Sequence, residues 1–287
     1  MIYVELAMQG IVQGSIYGMI ALGLTLVYGL LRILHVAHAA LFTLGGYLGV
    51  LVTNATGSLA LAILVAVPLV GLAGMAIYRL AYQPLLGQPP FVALIASIAL
   101  FIASEELWRI LFGPYGLSYV DPPLQARLEL LPGLSLKQSE LLVVVLAVVL
   151  LAILGFLSAR TRTGVAWRAT VTDPDIARVF GVNTQNVRYL NFFVGSALAA
   201  VAGVLVALLN NLVEPTMGSV PAYKALAIIV LGGLGSIGGT LLAALALGIL
   251  EAFGTIYLGH IMDRDALAFA FLILVLMARP HGLLGRA

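Results

Sequence analysis

Residues 6–31 read LAMQGIVQGSIYGMIALGLTLVYGLL and contain no charged side chain. A helix needs about 20 apolar residues to cross the roughly 30 Å of hydrocarbon in a bilayer, so this run is long enough to span it. Comparable uncharged runs cover residues 189–213 and 225–250. The chain is 62% hydrophobic and only 9% charged, whereas soluble domains carry about 25% charged residues. This composition excludes a water-soluble fold.

The uncharged runs are apolar on every side, whereas the strands of a membrane barrel alternate apolar and polar residues. They therefore predict helices. The acidic Glu5 precedes the first run, where a secretory signal would carry lysine or arginine, so we expect a retained span. We predict an all-α polytopic transmembrane bundle with about eight full spans. They are placed at 6–31, 36–53, 59–79, 91–112, 140–158, 189–213, 238–258 and 262–279.

A glycine-rich segment, residues 224–238, is predicted to be a short or broken ninth element that feeds the next helix. Loop charge then predicts the orientation, because short cytoplasmic loops collect lysine and arginine. The loop 159–188 holds Arg160, Arg162, Arg168, Arg178 and Arg188 against Asp173 and Asp175. We assign it to the cytoplasmic side. This assignment puts the amino terminus outside and Arg32 and Arg79 inside. Arg279 and Arg286 are also inside if the glycine-rich segment counts as a crossing, and the carboxy terminus is on the other side if it does not.

The same loop carries the signals of a short helix with both ends specified. Thr172 or Asp173 can cap its amino terminus, Pro174 suits its first turn, and Asp175 completes a capping-box pattern with Thr172. Gly181 can adopt the left-handed conformation that ends a helix. We predict about two turns of helix between these positions.

Ile176, Val179 and Phe180 would form the apolar face of this helix. A helix of this length is marginal in water, so its apolar face must rest on something. The helix is either a connector lying on its own bundle or a docking element for a partner. The two lysines, Lys137 and Lys224, do not follow glycine, so the chain carries no P-loop of the form GxxxxGK[ST]. Transport driven by ATP would therefore require hydrolysis by another subunit.

Four segments carry a resemblance to a known family: GSIYGMIALGLTL at 14–26, the loop residues 160–183, LGGLGSIGG at 231–239 and RPHGLLG at 279–285. Together they resemble the membrane permease subunit of branched-chain amino acid ABC importers. This is the leucine, isoleucine and valine uptake family that also contains urea and amide permeases. One departure is HVAHA at 35–39, where the family usually has Asn-Phe-Ala-His-Gly. Urea, short amides and other amino acids therefore stay open as solutes.

The resemblance implies a single transmembrane permease domain over residues 1–287, with a cytoplasmic coupling loop at about 159–188. It implies that Ala169, Asp173, Ala177 and Gly181 couple the chain to an ATPase. The expected partners are two ATP-binding cassette ATPase subunits, a second similar or identical permease subunit, an extracytoplasmic solute-binding protein and membrane lipid. We expect no catalytic residue, metal site or cofactor in this chain, with ATP bound by the partner subunits. The expected location is a bacterial or archaeal cytoplasmic (inner) membrane.

Two glycine-interrupted stretches are candidates for a solute passage, because short or broken helices line the passage in many transporters. The candidate passage-lining residues are His38, Gly45, Gly46, Gly232, Gly233 and Gly235. The alternative is that these glycines only permit close helix packing.

Ionisable residues within the spans are functional candidates by default. His35 and His38 are close to Arg32 in sequence, and hydration or capping at the cytoplasmic interface accounts for them, with a passage role as the alternative. Glu105, Glu106 and Arg109 include an i,i+4 pair near the outer end of their span, and we expect them to snorkel to the outer interface. Glu251 is expected to face the bundle interior, in a structural hydrogen bond. The alternative function is an ion- or proton-coupled secondary transporter acting without ATPase partners, with Glu251 and the two histidines as coupling residues.

Overall fold

A computed structural model describes residues 2–131, 134–279 and 282–284 of the chain. Its helices are α1 (Ile2–Leu31), α2 (His38–Thr56), α3 (Leu59–Ile77), α4 (Pro90–Phe112), α5 (Gln138–Arg160), α6 (Arg162–Thr172), α7 (Pro174–Val179), α8 (Thr184–Asn210), α9 (Ser219–Gly232), α10 (Ile237–Leu258) and α11 (Arg264–Ala278). A π-helical turn (Tyr78–Tyr82) and a 3-10 turn (Gln83–Leu85) extend α3. Strands β1 (Arg127–Leu131) and β2 (Leu134–Lys137) pair antiparallel, with Arg127 opposite Lys137.

Seven of the described helices are long and apolar enough to cross a membrane: α1, α2, α3 with its extension, α4, α5, α8 and α10. The predicted polytopic helical fold is therefore confirmed. The span predicted at 262–279 is α11, whose 15 residues extend only about 22 Å at 1.5 Å per residue. The predicted short segment at 224–238 is α9, which starts earlier, at Ser219, and leads through a turn into α10.

Side-chain caps mark the start of several spans. Ser58 accepts a hydrogen bond from the backbone N–H of Leu61 at α3, and Ser236 accepts one from Gly239 at α10. Asn183 accepts one from Asn186 at α8. These bonds satisfy backbone donors that the helix itself leaves free, which matters where water is scarce.

The centre of the bundle is formed by α1 and α8. Small residues allow close approach, since a Cβ on Gly10 of α1 would lie 2.7 Å from the Cα of Ile249 in α10. A Cβ on Gly45 of α2 would lie similarly close to the backbone of Ala200 in α8. Helices can pack this closely where a side chain is missing. Three further spans, α3, α4 and α5, lie around this centre, and most of their side chains are only partly buried or exposed.

One end of the bundle, here called the loop end, carries residues 159–188. Gly29 of α1 lies beside Trp167 and Val171 there, and Gly235 approaches Gly29. The ring of Tyr78 packs on that of Tyr189 with centroids 5.0 Å apart. The structure thus confirms that Arg32, Arg79 and Arg279 lie at the same end as the arginine-rich loop. Arg286 lies outside the described residues. Which side of the membrane the loop end faces stays a prediction.

The opposite end is closed by contacts between loops. The backbones of Leu117 and Val213 exchange hydrogen bonds of 2.8 and 2.9 Å. The side chain of Asn54, near the end of α2, bonds to the backbones of Ser118 and Val120. The loop between α4 and α5 therefore has its own structure, including β1 and β2, which were not predicted from the sequence.

Two helices begin inside the bundle rather than at either end. His38, the first residue of α2, lies against Gly23 in the interior of α1. Gly218, directly before α9, lies so close to α2 that a Cβ there would be 2.5 Å from the carbonyl oxygen of Ala39. From this junction α2 runs to the opposite end and α9 runs to the loop end. Such interrupted helices are common where transporters form their solute passage.

Candidate coupling loop, passage residues and buried charge cluster

The arginine-rich loop contains two helices, α6 and α7, where the sequence predicted one. The predicted helix is α7, and its cap is Asp173, whose Oδ1 accepts hydrogen bonds of 2.9 Å from the backbone N–H groups of both Asp175 and Ile176. Thr172 is instead the last residue of α6. The predicted left-handed stop is confirmed, because Gly181 has a φ of +82°. The α6 helix was missed because its sequence, RTGVAWRATVT, mixes threonine, glycine and valine, which are weak helix formers.

The four predicted coupling residues occupy different positions in this loop. Ala169 and Asp173 are half-buried, and Gly181 is exposed. Ala177 is only 3% exposed, because it faces the chain itself. It is therefore not available for direct contact with a partner in this arrangement. Contact between the other three and an ATPase stays a prediction.

The face that α7 presents outward is formed by Ile176, Val179 and Phe180, here called the α7 surface. Their exposed fractions are 57%, 85% and 82%. The sequence analysis had identified these residues as the apolar face that must rest on something. They do not rest on the described part of the chain. An exposed group of large apolar side chains is typical of an interaction site.

An arginine connects α7 to the central helix α8. Arg178 forms an ion pair of 2.9 Å with Asp175, within α7. Its Nε also donates a hydrogen bond of 3.0 Å to the hydroxyl of Thr184, the first residue of α8. A displacement of α7 would therefore be passed directly to α8, which packs against α1, α2 and α3.

A cavity of about 270 Å³ separates α6 from α5 and α8. Its lining is mainly apolar and includes Leu26, Leu154, Trp167 and Asn191. Asn191 crosses to α1, where its amide donates a hydrogen bond of 2.5 Å to the carbonyl oxygen of Leu26. None of the six predicted passage residues lines this cavity.

The predicted passage residues of α2 are covered by the chain's own helices. A Cβ on Gly45 would lie 2.6 Å from the Cα of Ala200, and one on Gly46 would lie 2.8 Å from the Cε of Met217. His38 is buried. Close packing accounts for the two glycines, as the alternative interpretation held. A role for these residues in a passage stays a prediction.

The second predicted stretch lies elsewhere, at the loop end. Gly232 packs backbone to backbone against Gly239, and Gly235 has a φ of +81° in the turn before α10. Gly233 is buried. The structure therefore does not bring these three glycines to His38. What meets His38 is the start of α9, across a cavity of about 10 Å³ that Pro221 also lines. Such a cavity has room for about one water molecule, not for a solute.

The interpretation of the histidines as hydrated interfacial residues was wrong. His35 and His38 are both buried. The Nδ1 of His35 lies 2.6 Å from the hydroxyl of Tyr82, and its ring packs 5.3 Å from that of Phe192. The reason is that the chain turns back into the bundle after α1 instead of ending at its surface, which the sequence does not reveal.

The i,i+4 pair that the spacing of Glu105 and Arg109 allows does not form. Arg109 pairs with Glu106 instead, at 2.6 Å. Glu105 accepts a hydrogen bond of 2.6 Å from the hydroxyl of Ser219 at the start of α9. A contact between α4 and α9 thus replaces the local helical pair, and only tertiary structure could show it.

Glu251 faces the bundle interior, as predicted, and is fully buried. Its carboxylate accepts hydrogen bonds of 2.8 Å from Lys224, 2.7 Å from Tyr17 and 2.6 Å from Arg264 Nε. These donors belong to α9, α1 and α11, so four helices meet at this carboxylate. The sequence analysis missed Lys224. The sequence held one signal for this pair: Lys224 and Glu251 are isolated charges of opposite sign in neighbouring apolar helices.

Asp265 completes the group. Lys224 Nζ lies 2.9 Å from its Oδ1, and the hydroxyl of Tyr223 donates a hydrogen bond of 2.5 Å to its Oδ2. The cluster of Lys224, Glu251, Arg264 and Asp265, here called the charge cluster, has two positive and two negative side chains. It is therefore neutral overall, which lowers the cost of placing charge inside a membrane protein.

Comparisons with known proteins agree with this architecture. The family described as the permease component of branched-chain amino acid transport systems matches residues 6–278. The high-affinity branched-chain amino acid transport system permease protein BraD of Pseudomonas aeruginosa is 34% identical over 307 residues, which cover 99% of this chain and 96% of the relative. LivH of Escherichia coli K12, with the same description, is 32% identical over 299 residues, covering 99% and 96%.

A more distant relative comes from an archaeon. The probable branched-chain amino acid transport permease protein LivH of Methanocaldococcus jannaschii is 27% identical over 290 residues, covering 96% of this chain and 90% of the relative. No solved structure matches the chain. Because the family match runs from α1 to the last residue of α11, the chain belongs to the permease-component family of branched-chain amino acid transport systems.

Proposed function

We propose that this chain is a membrane-spanning permease subunit of an ATP-binding cassette importer that carries branched-chain amino acids into the cell. The relatives that match almost the whole chain are named as permeases of high-affinity branched-chain amino acid transport systems. These names favour leucine, isoleucine and valine over urea and short amides. The cytoplasmic membrane of a bacterium or archaeon is the proposed location, with the loop end in the cytoplasm because arginine is concentrated there.

The α7 surface is the observation that carries the ATP-driven part of this proposal. Three large apolar side chains are exposed at the end of the bundle where the arginines gather. Covering them with a partner would remove their apolar area from water, which is favourable by about 25 cal/mol per Å². The chain has no P-loop sequence of its own. A separate ATPase subunit is the partner that fits both facts.

The coupling route would run from α7 into the bundle. The ion pair and hydrogen bond of Arg178 connect α7 to Asp175 and Thr184. Movement of an attached ATPase would thus act on the start of α8, which packs against three other spans. The four residues Ala169, Asp173, Ala177 and Gly181 would contribute by shaping and positioning α7, with Ala177 as an internal contact.

The proposed assembly contains two ATPase subunits, which bind the ATP, and a second similar or identical permease. An extracytoplasmic binding protein would deliver the solute. Residues 1–287 would act as one permease domain, without catalytic residues or a cofactor. The largely exposed sides of α4 and α5 offer area for lipid.

Reconstitution in proteoliposomes tests this function. The chain would be assembled with its ATPase and permease partners, with ATP inside and leucine-loaded binding protein outside. We expect leucine uptake that stops when the Walker A lysine of the ATPase is replaced. Leucine counterflow by this chain alone, without nucleotide or partners, would instead establish a secondary transporter. Uptake of urea in preference to leucine would reject the branched-chain solute.

A further inference from the structure

Two oppositely charged neighbours on α11 are each oriented by a buried counter-ion. The side chains of Arg264 and Asp265 are 41% and 40% exposed. Their partners Glu251 and Lys224 are 0% and 3% exposed. The buried half of the charge cluster therefore holds an exposed positive group and an exposed negative group side by side.

Arg264 has donor capacity that the cluster does not use. Its Nε donates to Glu251, while its two terminal nitrogens make no hydrogen bond within the described part of the chain. These nitrogens carry four N–H groups, and a guanidinium of this kind binds a carboxylate through two parallel hydrogen bonds. Because the Nε contact holds the guanidinium in place and the side chain is partly exposed, the terminal nitrogens are available to a ligand.

Asp265 has matching acceptor capacity. Its Oδ1 forms an ion pair with Lys224, and its Oδ2 accepts a hydrogen bond from Tyr223. A carboxylate offers about four lone-pair positions, so about two remain for an ammonium group. Lys224 and Tyr223 hold this carboxylate in place from the buried side.

An apolar ring lies next to the charged pair. Tyr223, which bonds to Asp265, stacks on Phe269 with ring centroids 5.6 Å apart. Phe269 follows Asp265 by four positions on α11, so the two lie on the same face of the helix, and the ring is exposed. A positive group, a negative group and an apolar surface are thus adjacent.

We propose that Arg264, Asp265 and Phe269 form a contact site for the zwitterionic solute on its way through the importer. Arg264 receives the α-carboxylate, Asp265 receives the α-ammonium, and Phe269 contacts the branched side chain. This inference rests on the proposed function and deepens it by naming the groups that recognise an amino acid. In the proposed assembly this face of α11 lines the passage between the permeases, which keeps its charged groups away from lipid.

A purely structural cluster would look different. Replacing a buried ion pair by apolar residues of similar size is often neutral or stabilising, so stability alone does not explain Lys224 and Glu251. The arrangement is explained if the buried pair serves to position its two exposed neighbours. Lys224 and Glu251 are then positioning residues, and the solute is contacted by the three residues of α11.

Solute protection of a single cysteine tests the site. The chain contains no cysteine, so an Ile273→Cys variant that still transports leucine carries one thiol in this subunit. Ile273 is exposed and follows Phe269 by four positions on α11, so this thiol lies beside the site without being part of it. Its alkylation rate would be measured by mass spectrometry of this chain, in the complete permease and ATPase complex without binding protein. We expect millimolar L-leucine to slow alkylation at least threefold. L-Leucinol, which lacks the carboxylate, and isocaproate, which lacks the ammonium, should leave the rate unchanged.

Arginine variants then assign the carboxylate contact. Combining Ile273→Cys with Arg264→Gln should abolish protection by leucine, and Arg264→Lys should retain part of it. Arg109→Gln is the matched control, because Arg109 is 44% exposed and also pairs with a glutamate at 2.6 Å, yet lies on α4. It should leave protection intact.

Equal protection by leucine and leucinol, or protection that survives Arg264→Gln, would overturn the inference. So would unchanged alkylation in a complex that takes up leucine. Failure of the wild-type complex to take up leucine contradicts the proposed function instead, so the two failures are distinguishable.

Discussion

Lys224 Nζ lies 2.8 Å from Glu251 Oε1, although the two residues are 27 positions apart and belong to different helices. Both side chains are buried. Glu251 was expected to have a structural hydrogen bond, and it has three strong ones. The pair connects α9, a helix that begins inside the bundle, to the full-length span α10. It therefore helps to hold the interrupted element in place.

Removing one member of this pair should be more damaging than removing both. Lys224→Met leaves an excess negative charge in the cluster, and Glu251→Gln leaves an excess positive one. Each single change should cost about 3 kcal/mol of stability, as for other broken buried pairs. The double variant is neutral again and should recover at least half of the summed loss. Unfolding of the purified complex in mixed detergent micelles measures this, and strictly additive losses would contradict it.

The α7 surface should be needed for ATPase binding. Val179→Glu places a charge in a contact that is expected to be apolar, so binding should weaken at least tenfold, which corresponds to about 1.4 kcal/mol. Val120→Glu is the control, because Val120 is 87% exposed, against 85% for Val179, but lies at the opposite end of the bundle. Pull-down of the ATPase from detergent extracts measures ATPase binding by both variants. Normal ATPase binding by Val179→Glu would reject the docking role.

Ala177→Glu should act differently from Val179→Glu. The Ala177 side chain is buried against its own chain, so a glutamate there must either expose itself by moving α7 or remain buried without a partner. We expect less folded protein as well as weaker ATPase binding, measured by size-exclusion chromatography of the detergent extract. A normal elution profile together with lost binding would show that α7 lifts off the bundle.

Gly45 should tolerate no larger side chain, because α2 and α8 approach each other there. In Gly45→Ala the new Cβ would lie 2.6 Å from Ala200 Cα, so the helices must separate. The matched control is Gly155→Ala in α5, where a Cβ meets open space and the helix gains about 1 kcal/mol of propensity. We expect a lower melting temperature for the first variant and an equal or higher one for the second. Equal melting temperatures would contradict the packing role.

Orientation can be measured with single cysteines in this cysteine-free chain. Gln185 at the loop end and Tyr115 at the opposite end are both exposed. In intact cells, a membrane-impermeant maleimide should label Tyr115→Cys and spare Gln185→Cys. Both should react after permeabilisation. The reverse pattern would place the arginine-rich loop outside the cell.

Much of the helical architecture could be predicted because lipid imposes a strict rule. Every backbone polar group in hydrocarbon needs an internal partner, so long uncharged runs have no alternative to helices. The runs at 91–112 and 238–258 correspond within one residue to α4 and α10. The short helix α7 was predictable for a local reason, since its cap, its proline and its glycine stop lie within eight positions of one another.

The prediction was weaker where an element depends on distant contacts. The histidines were assigned to an interface because sequence distance from Arg32 was the available guide. The sequence did not distinguish the exposed side of α7 from its buried side, because a helix of 6 residues shows too little periodicity to identify the buried side. The contact of Glu105 with Ser219 was not predicted, because the sequence shows local spacing and not which distant helix lies opposite.

The sequence by itself determined that this chain lies in a membrane, that it is helical, and which family it resembles. These properties follow from composition and from short-range patterns, which hydrocarbon and helix capping make decisive. The tertiary structure decided which charges meet. Lys224, Glu251, Arg264 and Asp265 lie on three helices, and their neutral arrangement exists only when those helices pack. Buried charges are stable only when paired, and the choice of partner depends on packing that no single segment contains.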